Sequence, residues 1–150
     1  MGKRHRRPAH PRFTLTQIED HDWGPPTYDS HLVTKIHALR YKPIGEFSVE
    51  DLRICLGQKM SVDILLPLAL EHVERDPLVS GDYYEGDLLQ NVVHCMDCWP
   101  EDPQLRARLV GVLTRGLEVL ATQPEWMSDV LNAKLSTELC VALEALTPAD

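Results

Sequence analysis

Three neighbouring residues, His94, Cys95 and Cys98, have the side-chain types best suited to metal chemistry in this 150-residue chain. A Cys-x-x-Cys pair can chelate zinc through two thiolates, and an adjacent imidazole can add a third ligand. A structural zinc site needs four ligands, but the sequence has no second Cys-x-x-Cys or His-x3-His pair to complete one. Cysteines that are buried or end a helix are therefore the main interpretation, and a zinc-assisted hydrolytic enzyme using these three residues is the alternative.

Other catalytic patterns are missing from the sequence. It contains no Gly-x-Ser-x-Gly nucleophile motif, no His-Glu-x-x-His motif and no glycine-rich loop ending in Lys-Ser or Lys-Thr. The acidic loop that begins at Asp82 also fails as an EF-hand, because Tyr84 and Gly86 fall where oxygen ligands are required. We therefore expect no enzyme activity, no cofactor and no small-molecule substrate.

Acidic side chains are concentrated between Glu71 and Asp102. This stretch contains nine acids and a single Lys or Arg residue, Arg75, and its acids are interspersed with aromatic residues. Aromatic rings can anchor a protein interface while carboxylates attract a basic partner. We predict a protein-binding surface here; the alternative is an acidic surface that serves solubility alone. The predicted contact residues are Glu71, Glu74, Asp76, Asp82, Tyr83, Tyr84, Glu85, Asp87, Asp97 and Trp99.

The net charge of −8 conceals two oppositely charged parts of the chain. Residues 1–12 contain five basic residues and no acid, whereas residues 13–150 contain ten basic and 23 acidic residues. Such an acidic body repels nucleic acid and attracts basic proteins. We predict a disordered basic tail over residues 1–13 and no direct nucleic-acid binding; nucleic-acid binding through the tail is the alternative. The basic residues of the tail are Lys3, Arg4, Arg6, Arg7 and Arg12.

Hydropathy and cysteine content indicate in which cellular compartment the protein is found. No apolar run is long enough to span a bilayer, and no apolar stretch after the basic N-terminus could act as a signal peptide. We therefore predict a cytoplasmic protein that does not contact membranes. Its four cysteines are expected to remain reduced thiols in that compartment.

Apolar spacing and helix-end residues predict six helical segments after an ordered loop, DHDWGPPTYDS, in which Trp23 and Tyr28 are expected to anchor the chain. Gly57 is assigned a left-handed position after the second helix, and Gly111 and Gly116 are assigned to close helix packing. The predicted segments are Ser30 to Lys42, Ser48 to Gly57, Ser61 to Arg75, Asp87 to Cys95, Asp102 to Gln123, and a last region after Pro124 that breaks near residues 132–136.

The predicted fold class is therefore all-α, a single-domain compact helical bundle of about six helices over residues 14–150, preceded by the basic tail. Ser48 and Asp51 form a capping-box pattern, and Asp102 followed by Pro103 is a typical helix start. The third segment is apolar almost all round, so it is expected to be the central helix despite Pro67 within it.

One block of the sequence resembles a known family. Residues 50–89, EDLRICLGQKMSVDILLPLALEHVERDPLVSGDYYEGDLL, resemble immunity proteins of bacterial contact-dependent growth inhibition (CDI) systems. The shared succession is Glu-Asp-Leu-Arg, Gly-Gln, Leu-x-Pro-Leu-Ala-Leu-Glu, x-Pro-Leu, Gly-Asp-x-Tyr and Gly-Asp-Leu-Leu. The earlier segment DWGPPTYDSHLVTKIHALRYKPI is also similar to the N-terminal part of that family. Together the two segments cover roughly half of the chain.

The resemblance implies an inhibitor made in the bacterial cytosol that binds the C-terminal domain of a cognate toxin as a heterodimer. Toxins of these systems are often nucleases, including enzymes that cleave tRNA. Because a nuclease surface is basic, the acidic stretch fits an inhibitor that occupies the place of the substrate. The apolar residues shared with the family are expected to maintain the fold, and the residues between them to contact the toxin.

Overall fold

A computed structural model describes residues 7–27 and 29–147 of the chain. The predicted tail residues Lys3, Arg4 and Arg6 and the predicted anchor Tyr28 lie outside the described residues. The all-α prediction is confirmed, because the described residues form seven α-helices and no strand beyond a single isolated bridge. The helices are α1 (Leu15–Glu19), α2 (His31–Leu39), α3 (Val49–Gly57), α4 (Val62–Arg75), α5 (Asp87–His94), α6 (Pro103–Ala121) and α7 (Asp129–Leu146).

The central position of α4 follows from its composition. Leu65, Leu66 and Leu70 are completely buried, and the helix packs against α3, α5 and α6. Helix α5 then lies between α3 and α7, and α6 pairs with α7 over the length of the C-terminal half. Burial of apolar side chains on several faces of one helix is the main stabilising term for such a bundle. None of the helices in the described residues is long and apolar enough to cross a membrane.

The predicted caps of α3 and α6 are confirmed, whereas α5 has Gly86 as its N-cap and Asp87 as its first residue. The Ser48 hydroxyl accepts from the Asp51 backbone N–H at 3.1 Å, and the Asp51 carboxylate accepts from the Ser48 N–H at 3.0 Å, which completes the capping box of α3. Asp102 accepts from the Gln104 N–H at 2.9 Å at the start of α6. These side chains satisfy backbone donors that have no partner within the helix.

Two of the three glycine assignments are wrong. Gly57 is the last residue of α3 and is not left-handed; a Cβ atom there would lie 2.8 Å from the Asn91 side-chain oxygen, which would have to shift. The left-handed positions after α3 belong to Lys59 and Ser61 instead. Gly111 faces open space, whereas Gly116 does pack closely, since a Cβ there would lie 3.3 Å from Leu139.

Some helix boundaries also differ from the prediction. The chain forms an additional short helix, α1, which begins with a capping box between Thr14 and Gln17. Helix α7 is continuous through residues 132–136, where a break was expected. Trp126, in the turn before α7, and Val130, in the first turn of α7, are both exposed. The turn before α7 and the first turn of this helix therefore each present an apolar side chain to solvent.

The described part of the predicted tail, residues 7–13, contacts the helical body. The Arg7 N–H donates to the Ile18 carbonyl at 2.9 Å, and the Ile44 N–H donates to the Phe13 carbonyl at the same distance. Backbone hydrogen bonds of this kind satisfy groups that would otherwise need water. These residues therefore lie along α1 and the loop that joins α2 to α3.

The Asp51 carboxylate is almost completely buried and has two lysine partners. Lys42 Nζ lies 2.7 Å from one carboxylate oxygen, and Lys35 Nζ lies 3.3 Å from the other. Burial by itself would raise the pKa of Asp51, but hydrogen bonds from Lys42 and Ser48 outweigh it, so the pKa falls below its usual 3.8. The charge on Asp51 is thus more stable in the folded protein than in the unfolded chain.

We expect Asp51→Asn to lower the free energy of unfolding by about 1–3 kcal/mol at neutral pH, because hydrogen bonds to a charged group are lost. The lowered pKa means that the wild-type advantage is present above about pH 3.8 and is lost as the pH falls through the folded value. Urea unfolding at neutral and acidic pH measures this, with Glu118→Gln as an exposed control. An advantage that persists undiminished at acidic pH would contradict this assignment.

Candidate protein-binding surface

The structure distributes the ten predicted contact residues over different parts of the surface. Asp82 and Tyr83 line one cleft, Asp76 and Glu85 line a second, and Asp97 and Trp99 line a third. Glu71 and Glu74 lie on α4. The acidic stretch is therefore divided among several sites, and one loop, residues 81–86 between α4 and α5, lies between the first two clefts.

Asp87 holds this loop in place from the interior of the protein. Only 1% of Asp87 is exposed, and its carboxylate accepts backbone hydrogen bonds from Gly81 at 2.5 Å, Tyr83 at 3.1 Å and Tyr84 at 3.4 Å. Asp87 follows Gly86, whose φ of 87° favours glycine at the turn into α5. The Asp87 carboxylate therefore orders the loop. Because it is buried, it is not accessible to a partner protein.

Tyr83 is the most exposed aromatic side chain of the loop, with 71% of its surface accessible. Its ring is nevertheless held, because the Arg53 guanidinium stacks on it at 4.3 Å from the ring centre. Glu50 in turn accepts from Arg53 Nη2 at 2.6 Å and from the Asp82 backbone N–H at 3.0 Å. The hydrogen bond from Arg53 lowers the pKa of Glu50, against the opposing effect of burial.

Two clefts flank Tyr83 and share it as a common wall. The first, about 470 Å³, lies between the loop and α2, and Leu32 and Ile54 give it apolar walls. The second, about 310 Å³, lies beside α5 and includes His94 and Lys134. Tyr83 thus forms a ridge between two depressions, a shape that a partner protein can enclose on both sides. We refer to the surface formed by Tyr83, Arg53, Glu50, Leu32 and Ile54 as the Tyr83 ridge.

Sequence reasoning identified Tyr83 and Asp82 but missed Glu50, Arg53 and Leu32. The sequence does indicate the pairing of Glu50 and Arg53, because they are three residues apart in a predicted helix and so are neighbours on its surface. The contribution of Leu32 could not be predicted, because its helical spacing with Ile36 and Leu39 is typical of a buried side chain. In the structure it is one of the exposed large hydrophobic residues instead.

Tyr84 points away from the ridge into a polar network between α5 and α7. Its hydroxyl donates to the Gln90 side-chain oxygen, and Gln90 Nε2 donates to Glu138 at 2.7 Å. His94 Nε2 lies 3.4 Å from the same Glu138 carboxylate. Burial raises the pKa of Tyr84, so its hydroxyl remains protonated and donates at neutral pH. This network positions α5, which carries Asp87, relative to α7.

Three other predicted contact residues have partners within the protein. Lys59 Nζ lies 2.7 Å from Asp97 and lowers the pKa of that carboxyl group. Glu74 accepts from Arg108 at 2.6 Å. The Trp99 indole donates to the Val92 carbonyl at 3.1 Å and packs on the core. The negative potential around these residues is therefore weaker than the sequence alone indicates.

The alternative metal site is not supported by the geometry. The described residues contain no group of three or more His, Cys, Asp or Glu side chains placed to hold a metal ion. Cys95 is buried, and burial raises its pKa to about 11, which disfavours the thiolate that zinc requires. His94 and Cys98 are exposed. All four cysteines of the chain are free thiols.

The described residues form a helical fold, and the Tyr83 ridge on it is a candidate protein-binding surface. A model of the family of CDI immunity proteins matches residues 17–109. Because this match covers more than half of the chain, the chain belongs to the CDI immunity proteins, as the resemblance predicted, and the family has a toxin-neutralising immunity role. Comparisons with curated proteins and with solved structures gave no significant match.

Proposed function

We propose that this protein binds the C-terminal domain of a cognate CDI toxin in the bacterial cytosol, as a heterodimer, and thereby neutralises it. Membership of the CDI immunity proteins is the observation that carries this proposal. The Tyr83 ridge supplies a suitable contact surface, because it combines an exposed aromatic side chain with an ordered arginine. Tyr and Arg are among the residues that most often dominate binding energy at protein interfaces.

The toxin is proposed to be a nuclease, with a tRNA-cleaving enzyme as one such case. Residues 13–150 contain ten basic and 23 acidic residues, so the body of the protein attracts a basic partner. A nuclease that binds a polyanion presents a basic surface. The acidic body then accelerates association and keeps the inhibitor itself away from nucleic acid.

Neutralisation is proposed to require binding alone, without catalysis by the immunity protein. The zinc-assisted alternative needs His94, Cys95 and Cys98 to converge, and the described residues contain no group of three such side chains placed to hold a metal ion. Inhibition by binding instead needs only side chains that are already ordered in the structure, such as Arg53 and Tyr83. Elemental analysis of the purified protein for zinc distinguishes the two hypotheses, since stoichiometric zinc would favour the enzyme.

The direct test uses the toxin domain encoded beside the gene for this protein. Co-expression should protect cells from that domain and not from an unrelated CDI toxin, and the two proteins should co-purify as a one-to-one complex. Isothermal titration calorimetry gives the affinity. Growth arrest despite co-expression, together with no measurable binding, would contradict the proposed function.

Tyr83→Ala should weaken toxin binding by about 30-fold or more, the range expected when a central aromatic residue is truncated. Because 71% of Tyr83 is exposed, the free energy of unfolding should change little. Tyr83→Phe keeps the ring on Arg53 and should retain most of the affinity. Tyr41→Ala removes another exposed tyrosine, outside both clefts, and serves as the control. Equal affinities for all four proteins would exclude the ridge from the interface.

A further inference from the structure

A second surface lies on the other side of the 81–86 loop, at the turn between α6 and α7. Its cleft, about 350 Å³, is lined by Leu78, Val119 and Trp126 together with the acids Asp76 and Glu85. Trp126 exposes 57% of its surface, an unusually large exposure for an apolar side chain of this size. We call this surface the Trp126 cleft.

The turn that carries Trp126 is ordered by its neighbours. Met127 is buried, and its backbone N–H donates to the Pro124 carbonyl at 3.0 Å. The Asn132 side chain closes the turn by donating to the Leu120 carbonyl at the end of α6, also at 3.0 Å. The backbone that carries the indole is therefore ordered, so little backbone conformational entropy is lost when a partner covers the side chain.

The charge around the cleft is of one sign. The two segments that form its walls, residues 76–87 and 117–133, contain no Lys, Arg or His. Among the residues lining the cleft, Asp76 and Glu85 carry the charge, and no described residue there is basic. A cleft whose only charged lining residues are carboxylates is complementary to a cationic segment and repels an acidic one.

We propose that the Trp126 cleft binds a basic segment of the toxin domain in which an arginine side chain stacks on Trp126. Arginine fits best because its planar guanidinium can stack on an aromatic face while it interacts with carboxylates. Glu85 and Tyr83 are two residues apart, so their Cα atoms lie within about 7 Å. One toxin domain can therefore cover the Tyr83 ridge and the Trp126 cleft together. This inference rests on the proposed function.

The test compares single variants in calorimetric titrations with the toxin domain encoded beside the gene. Trp126→Ala should weaken binding by about tenfold or more, and Trp126→Tyr should restore most of the loss because it retains an aromatic face. Val141→Ala is the matched control, since Val141 is 61% exposed on α7 outside the cleft, and it should bind within about twofold of wild type. Quenching of the Trp126 fluorescence on complex formation reports contact directly.

Charge is tested separately by the double variant Asp76→Asn with Glu85→Gln. The asparagine side chain keeps an oxygen in the place of the one that accepts from the Leu78 N–H at 3.1 Å, so the loop should retain its structure. The affinity should fall, and its decrease with added salt should become shallower than for wild type. If the wild-type protein does not bind, both proposals fail. If it binds and the Trp126 and charge variants bind equally well, only the Trp126 cleft is excluded.

The experiments must also exclude a second copy of this chain as the occupant of the Trp126 cleft. Sedimentation of the wild-type protein without toxin should show a monomer, as should the Trp126→Ala variant. A wild-type dimer that dissociates on the Trp126→Ala change would assign the cleft to self-association and overturn the proposal.

Discussion

Arg40→Ala is expected to lower the free energy of unfolding by about 3–5 kcal/mol, because it removes one partner of a buried ion pair. Only 1% of Arg40 is exposed, and its guanidinium donates to Glu19 at 2.6 Å and to the His21 carbonyl at 2.9 Å. It also lies 4.4 Å from the centre of the Trp23 ring. One side chain thus joins α1, the following loop and the end of α2.

Thermal and urea unfolding measure this effect, and the midpoint temperature should fall by roughly 10 °C or more. Arg108→Ala is the matched control, because Arg108 pairs with Glu74 at the same 2.6 Å but is partly exposed. Exposed pairs contribute about 1 kcal/mol or less. Should Arg40→Ala fail to fold, Arg40→Lys retains the charge and should give an intermediate loss. Comparable losses for Arg40→Ala and Arg108→Ala would contradict the importance of burial.

Asp87→Ala should reduce both stability and toxin binding. It leaves the Gly81, Tyr83 and Tyr84 N–H groups without their carboxylate and removes a charge 3.8 Å from Arg53. The expected loss is about 2–4 kcal/mol, since each buried donor left without a partner costs about 1–3 kcal/mol and the loop can relax towards water. Without this support Tyr83 should no longer be held, and binding should weaken by about 30-fold or more.

A comparison with Tyr83→Ala separates the two effects of Asp87. Both variants should bind the toxin weakly, but only Asp87→Ala should unfold at lower urea concentration. Faster hydrogen exchange at the amides of residues 81–86 would locate the change in the loop. An Asp87→Ala variant that is less stable but binds normally would show that order in this loop does not matter for the interface.

Local signals predicted most of the fold. The start of α6 was evident from Asp102 and Pro103, and the central position of α4 followed from apolar residues on nearly all of its faces. Helix α1 was missed because five residues offer too little periodicity, although the capping box at Thr14 is readable in retrospect. Gly57 was misinterpreted because glycine near the end of a helix is commonly left-handed, whereas here Lys59 and Ser61 have the left-handed conformation.

The candidate site was less predictable from the sequence than the fold, because the pairing of charged side chains depends on tertiary structure. The sequence shows how many acids lie between Glu71 and Asp102, but it does not show which of them are neutralised by distant bases. Lys59 and Arg108 come from outside that stretch and pair with Asp97 and Glu74. Asp87, the first residue of α5, lies in the same acidic stretch and is nevertheless buried. Tertiary structure decides which carboxylates remain available to a partner.

The four free thiols have a consequence for the robustness of the molecule. Cys55 and Cys95 are packed in the core, and burial raises the pKa of Cys55 to about 12. Cys98 and Cys140 are exposed. Because no disulfide contributes to the fold, its stability does not depend on the redox poise of its surroundings. Oxidants can modify the two exposed sulfur atoms while the helical core remains chemically inert.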